Sequence, residues 1–224
     1  MAGAEAAVDA PEPGWRERAL ARSLDAARSR AEERTQRFLD AAFELIDEKG
    51  SAEFTIQEVV ERSKQSLRGF YEFFDGKDEL VLALFEETLH EAALDIRIAV
   101  DAETEPVARL RAFTIRLHEW CDPMAAPLRG VHNRRAISDL WRQLAVDHAT
   151  RVKAALAPVT GLLQQLLDDA DAAGVIHVRD TRRAAAWLHQ SVFSSWSGAR
   201  LVGNPAQRLS AEETWEFCFR GLGG

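Results

Sequence analysis

Between residues 38 and 100 the apolar side chains recur at the helical period, and each run stops at a capping signal after a few turns. Phe38, Ala41, Ala42, Leu45 and Ile46 fall at i, i+3, i+4, i+7 and i+8, which places them on one stripe of a helix. Asp40, Glu44, Asp47 and Glu48 lie largely off it. Lys49-Gly50 closes the run with a cation near the last carbonyls and a residue free to take positive φ. Thr55-Ile56-Gln57-Glu58 is a capping box that starts a second helix with Ile56, Val59 and Val60 inward. Ser66 caps a third, from Leu67 to Phe74. There Phe70, Phe73 and Phe74 share a side and Tyr71 faces elsewhere. Asp75-Gly76 ends it, Gly76 being read as a turn residue. Asp78-Glu79-Leu80 opens a long helix reaching about Val100. No alternating strand pattern interrupts residues 34–100, and the remaining segments are helical too.

Three helices of roughly 12, 8 and 8 residues joined by tight turns outline a helix-turn-helix head on an all-α chain. Upstream, residues 1–33 form an extension: 1–14 read as disordered, whereas 15–33 are helix-prone and carry Arg16, Arg18, Arg22, Arg28 and Arg30. These arginines are either an arm for phosphates or a solvated surface. The head spans 34–80 and a six-helix body 81–224. In the body, Val152, Leu156, Val159, Leu163, Leu166 and Ala170 form a stripe across a helix of about residues 147–173. Pro158 inside it predicts a kink. Shorter segments are expected at 105–120, 133–145, 181–201 and 211–222.

Composition narrows the function classes. A net charge of -8 excludes bulk coating of nucleic acid, although a local face can still be basic. Cys121 and Cys218 lack metal-type spacing and read as reduced thiols. No apolar run reaches the roughly 20 residues that cross a bilayer, and the N-terminus lacks a secretory pattern. A cytoplasmic location with no membrane role is therefore expected. The six histidines are scattered, without a His-Glu-x-x-His or a Gly-rich phosphate loop. The acidic run Asp168-Asp169-x-Asp171 and the group His118, Glu119, Cys121 and Asp122 read as surface. No enzyme, metal or cofactor is expected.

The stretch RTQRFLDAAFELIDEKGSAEFTIQEVVERSKQSLRGFYEFFDGKDELVLALF resembles the tetracycline-repressor (TetR) family. The marks are the paired alanines, the Lys-Gly ending, Thr before the second helix, an aromatic-Tyr pair in the third, and FFDGKDEL for the family's Phe-x-x-Lys-x-Glu-Leu. Two positions depart: Lys64 stands where the family has Gly, and Gln65 where it has an apolar residue. Positive φ at Lys64 would cost roughly 1 kcal/mol.

The resemblance implies that the third helix enters the major groove, with the second bracing the backbone. Its DNA-facing positions would be Leu67, Arg68, Gly69 and Tyr71: Arg68 for guanine, Leu67 for a thymine methyl, Gly69 for close approach and Tyr71 for a phosphate. Lys77 would add a phosphate contact. Thr55, Gln57 and Ser66, at the starts of the second and third helices, are further candidates. Residues 34–80 nevertheless hold more acids than bases.

The resemblance also implies a homodimer on a palindromic or near-palindromic double-stranded operator, and a small-molecule effector. Phe113, Leu117, His118, Trp120, Met124, Trp141, Leu144, Leu163 and Trp187 are candidate pocket residues, apolar walls with few polar groups. They can equally be plain core. Ser191, Ser195, Gly198 and Val202, a small-residue stripe, form the expected dimer face with Trp215, Phe219 and Leu222. The expected function is a regulator, by family habit a repressor, released by an apolar or aromatic effector. The alternative is a helical small-molecule-binding or interaction module without DNA binding.

Overall fold

The computed structural model describes residues 14–122, 144, 146–202 and 209–223; for residues 16, 17 and 195–202 it describes the backbone alone. The described residues form eight helices and no strand: α1 (Gly14–Lys49), α2 (Ile56–Ser63), α3 (Leu67–Tyr71), α4 (Lys77–Asp101), α5 (Pro106–Cys121), α6 (Ala149–Ala172), α7 (Thr181–Val202) and α8 (Ala211–Gly221). The body thus shows five helices, and most of the expected sixth, at 133–145, lies outside the described residues. The all-α architecture of a helix-turn-helix head on a helical body is as expected. Among the described residues no helix is long and apolar enough to cross a membrane.

Two differences concern helix ends. α1 is a single helix that runs through residue 33, so the Arg-rich stretch and the first head helix are continuous. No Gly or Pro separates them, and residues 15–33 are strong helix formers. α3 is shorter than expected. After Tyr71 the amides of Phe73 and Phe74 both turn onto the Phe70 carbonyl, at 3.0 Å each, and Gly76 is extended (φ 172°) rather than turned. Pro158 lies within α6, where the hydroxyl of Thr160 donates to the Leu156 carbonyl at 3.1 Å.

The head closes over one core. Phe38, Ala42 and Ile46 of α1 meet Val59 of α2, Phe70 and Phe74, and Leu80 and Leu84 of α4, all essentially buried. Burying a Phe or Leu side chain contributes about 1.5–3 kcal/mol, so this small head depends on its stripe. The capping box holds as expected: Thr55 Oγ1 accepts from the Glu58 amide and Glu58 accepts from the Thr55 amide. Lys49 adds an ion pair to Glu58 at 2.6 Å. Together these hold the Glu58 carboxyl down at about 2, the side-chain bond to Lys49 being the largest cause.

The same core takes in Leu144, Val152 and partly buried Leu156, so the start of α6 is built into the underside of the head. Arg151 reinforces the join. Its guanidinium grips Glu79 of α4 at 2.7 and 2.8 Å and Glu86 at 3.1 Å. A second core fills the body. There Ile96, Leu110, Phe113, Val159, Leu163, Leu166 and Leu167 pack with Leu188, Trp215 and Leu222.

Lys64 occupies the left-handed region (φ 55°, ψ 36°) at the end of α2. The Gln65 amide donates back to the Val60 carbonyl at 3.2 Å, the double closure for which glycine is usual. Lys64→Gly is therefore expected to raise the stability of the folded chain by about 1 kcal/mol, read from chemical denaturation; an unchanged or lowered midpoint would contradict strain at this turn.

Candidate nucleic-acid interface

The inner side of α3 is fixed by aromatic packing. Phe70 is fully buried, edge-on to Phe38 with ring centroids 5.5 Å apart, and Phe74 lies 5.2 Å from Phe70. Ser66 caps the helix by accepting from the Gly69 amide at 3.0 Å. With that side pinned, the opposite side must face solvent. The Arg68 side chain is 93% exposed, Tyr71 is 55% exposed, and Leu67 stands out beside them. Glu72, one turn on, approaches Arg68 only to 3.8 Å, so the guanidinium is left accessible.

Gly69 belongs to the other side. It is buried, and a Cβ there would sit 2.7 Å from Arg34 Nη2. A larger residue here would displace the end of the Arg34 side chain of α1. Arg34 is a residue the sequence did not single out. It reaches Glu72 at 3.3 Å and Gln65 Oε1 at 3.4 Å, and lies over the Phe73 ring at 5.2 Å. Gln65 replies by donating its side-chain amide to the Arg34 carbonyl at 2.8 Å. The polar residue in the turn thus does by hydrogen bonding what an apolar one would do by packing. The departure at Gln65 was a signal, but only a folded chain reveals that it and Gly69 share Arg34 as a neighbour.

The flanking candidates divide. Thr55 is committed to its cap, and Gln57 is exposed with its amide donated to Glu61 at 2.9 Å. Lys77, at the start of α4, lies 4.8 Å from the Phe54 ring centroid, a cation–π contact that aims the ammonium beside the head. The acid excess is partly absorbed internally. Arg62 joins α2 to Glu44 and Glu48 of α1, Lys49 holds Glu58, and Arg34 holds Glu72. Among the described residues Arg37 and Lys64 keep no ion-pair partner, so positive charge remains near the turn.

The described candidate pocket residues divide between the two cores and the surface. Phe113, Leu117, Trp120 and Leu163 come together, as packed core. Trp120 donates to Asp95 at 2.8 Å, and buried His118 places Nε2 3.1 Å from the Leu209 carbonyl. Leu144 belongs instead to the head's core. Trp187 is corrected outright: it is 67% exposed on α7, because Ala185 and Leu188 take the inward positions. Met124 and Trp141 lie outside the described residues. Among the described residues a groove of about 570 Å³ lies between α6 and α7.

The dimer candidates differ in exposure. Trp215 and Leu222 are buried in their own body, and partly buried Phe219 stacks on Trp215 at 4.8 Å. The exposed aromatic of α8 is Phe217, at 72%. Ser191 is exposed; the side chains of Ser195, Gly198 and Val202 lie outside the described residues.

A three-helix head presenting one short outward helix, carried on a helical body, is a helix-turn-helix architecture. Residues 38–84 match the family model described as bacterial regulatory proteins, tetR family. The regulator BetI of Brucella abortus (strain 2308) is 29% identical over 79 residues, a match spanning 35% of this chain and 40% of that protein. Two solved structures share the fold over most of both chains. The fatty acid degradation regulator FadR of Bacillus halodurans superposes with a TM-score of 0.65 at 17% identity, covering 84% of this chain and 96% of that one. The superantigen PfiT superposes with a TM-score of 0.65 at 21% identity, covering 85% and 96%.

Arg68→Ala is expected to weaken specific DNA binding by about 1–3 kcal/mol with little loss of stability, since the side chain packs against nothing. Binding isotherms beside a thermal melt check this; equal loss on unrelated DNA would reduce Arg68 to a phosphate contact.

Proposed function

We propose that this chain is a ligand-responsive transcription regulator that binds a palindromic or near-palindromic operator as a homodimer. One observation carries the reading: Phe70 is fully buried while Arg68 is 93% exposed on the same five-residue helix. That is the arrangement by which a rod is gripped on one side and presented to the major groove on the other. Leu67 and Tyr71 flank Arg68 for a base methyl and a phosphate, and Lys77 extends the phosphate track. Likeness to BetI and FadR, both named as regulators, favours a regulatory role; repression relieved by a small apolar or aromatic effector is the mode we propose.

A two-fold partner would sit on the outer faces of α7 and α8, where Trp187 and Phe217 leave large aromatic surface in water. The two presented helices would then be spaced by about one DNA turn, roughly 34–36 Å. Effector binding would favour an arrangement with the wrong spacing.

A mobility shift with DNA flanking the protein's own gene tests the reading; no shift at low salt would leave a helical binding module, the alternative favoured by the head's excess of acids. Deleting residues 1–30 is expected to weaken binding and flatten its dependence on salt, and an unchanged slope would remove the N-terminal arginines from the interface. Paired Trp187→Asp and Phe217→Asp substitutions are expected to yield monomers in sedimentation, whereas a persisting dimer would place the partner elsewhere.

A further inference from the structure

We infer that the groove between α6 and α7 is a binding site for a slim amphipathic carboxylate, an alkyl chain with one anionic head. The inference rests on the ligand-responsive reading above and names the class of ligand. The groove's volume of about 570 Å³ falls in the usual range of small-molecule sites, about 300–1,000 Å³. Its floor is apolar and narrow, made by Val152, Leu156 and Ala186 with Gly161 at one side. Nothing lies within 4 Å of where a Gly161 Cβ would be, so a chain can lie flat there.

The charge pattern is what selects the ligand. Lys153 and Arg182 both line the groove, and among the described residues no carboxylate does, in a chain with 36 acids against 28 bases. Neither cation has an ion-pair partner among the described residues. Arg62, Arg109, Arg116 and Arg151, by contrast, are each held by neighbouring glutamates or aspartates. An anionic head would satisfy both cations while its chain covers the apolar floor.

Occupancy would also be felt by the head. Val152 and Leu156 contribute to the groove and to the core shared with α1 and α4, and Arg151, next to Val152, clamps Glu79 and Glu86. A ligand that shifts this turn of α6 shifts the base of α4.

The test is calorimetric titration of the full chain with dodecanoate and with dodecyltrimethylammonium, both below their micelle concentrations. Dodecanoate is expected to bind and the cationic amphiphile not to. The double variant Lys153→Ala with Arg182→Ala should weaken dodecanoate by about tenfold, the order expected for losing two partly solvated charges. Gly161→Phe should abolish binding by filling the groove. No dodecanoate binding, equal binding of both amphiphiles, or dodecanoate binding indifferent to both variants overturns the site. A Gly161→Phe chain that turns monomeric also overturns it, by assigning the groove to a second copy. The mobility shift without additive is run beside each titration: an intact shift with no dodecanoate binding removes the site alone, whereas a missing shift removes the regulator reading.

Discussion

Phe38 stands at the centre of an aromatic cluster, with Phe70 at 5.5 Å, Phe74 at 6.2 Å and Phe73 at 6.5 Å. The five-residue α3 has too few internal hydrogen bonds to persist alone. It keeps its shape because its inner ring is seated against α1 and its first turn is capped by Ser66. Everything outward on that helix inherits its direction from this packing. Arg34 adds a polar counterpart at the rim, tying the turn residue Gln65 and Glu72 back to α1.

The head and body share material through the start of α6. A regulator with a freely hinged head would transmit little from one part to the other. Here the apolar side chains of Val152 and Leu156 enter the head's core, and a two-carboxylate clamp on Arg151 fixes their register against α4. Exposed ion pairs are individually worth about 0–1 kcal/mol, so the clamp directs the contact more than it strengthens it; the burial of Val152 and Leu144 supplies the cohesion.

The head was legible because its determinants are local. Stripe spacing, the Thr55 box, the Ser66 cap and the terminating Gly50 are each read within one or two turns of chain, and the structure keeps all of them. The body's interior was legible as a stripe on α6, but not as a function. An inward Trp and an outward Trp look alike in sequence. Whether Trp187 or Leu188 faces the core depends on how α7 rolls against α5 and α6, and the same uncertainty exchanged Trp215 for Phe217 on α8. The groove was invisible for a related reason, since its lining joins small residues from two helices whose neighbourhood no local pattern encodes. Gly69 shows a subtler limit: a motif position was recognised, yet its neighbour in space is a guanidinium 35 residues upstream.

The continuity of α1 has a mechanical consequence. At about 1.5 Å per residue, its 36 residues make a rod about 54 Å long, of which only the C-terminal third or so is embedded through Phe38, Ala42 and Ile46. The remainder projects as a stiff cantilever bearing Trp15, Leu20 and Leu24 in water. A body that pushes sideways on its free tip applies torque at Phe38, the very ring on which the orientation of α3 rests.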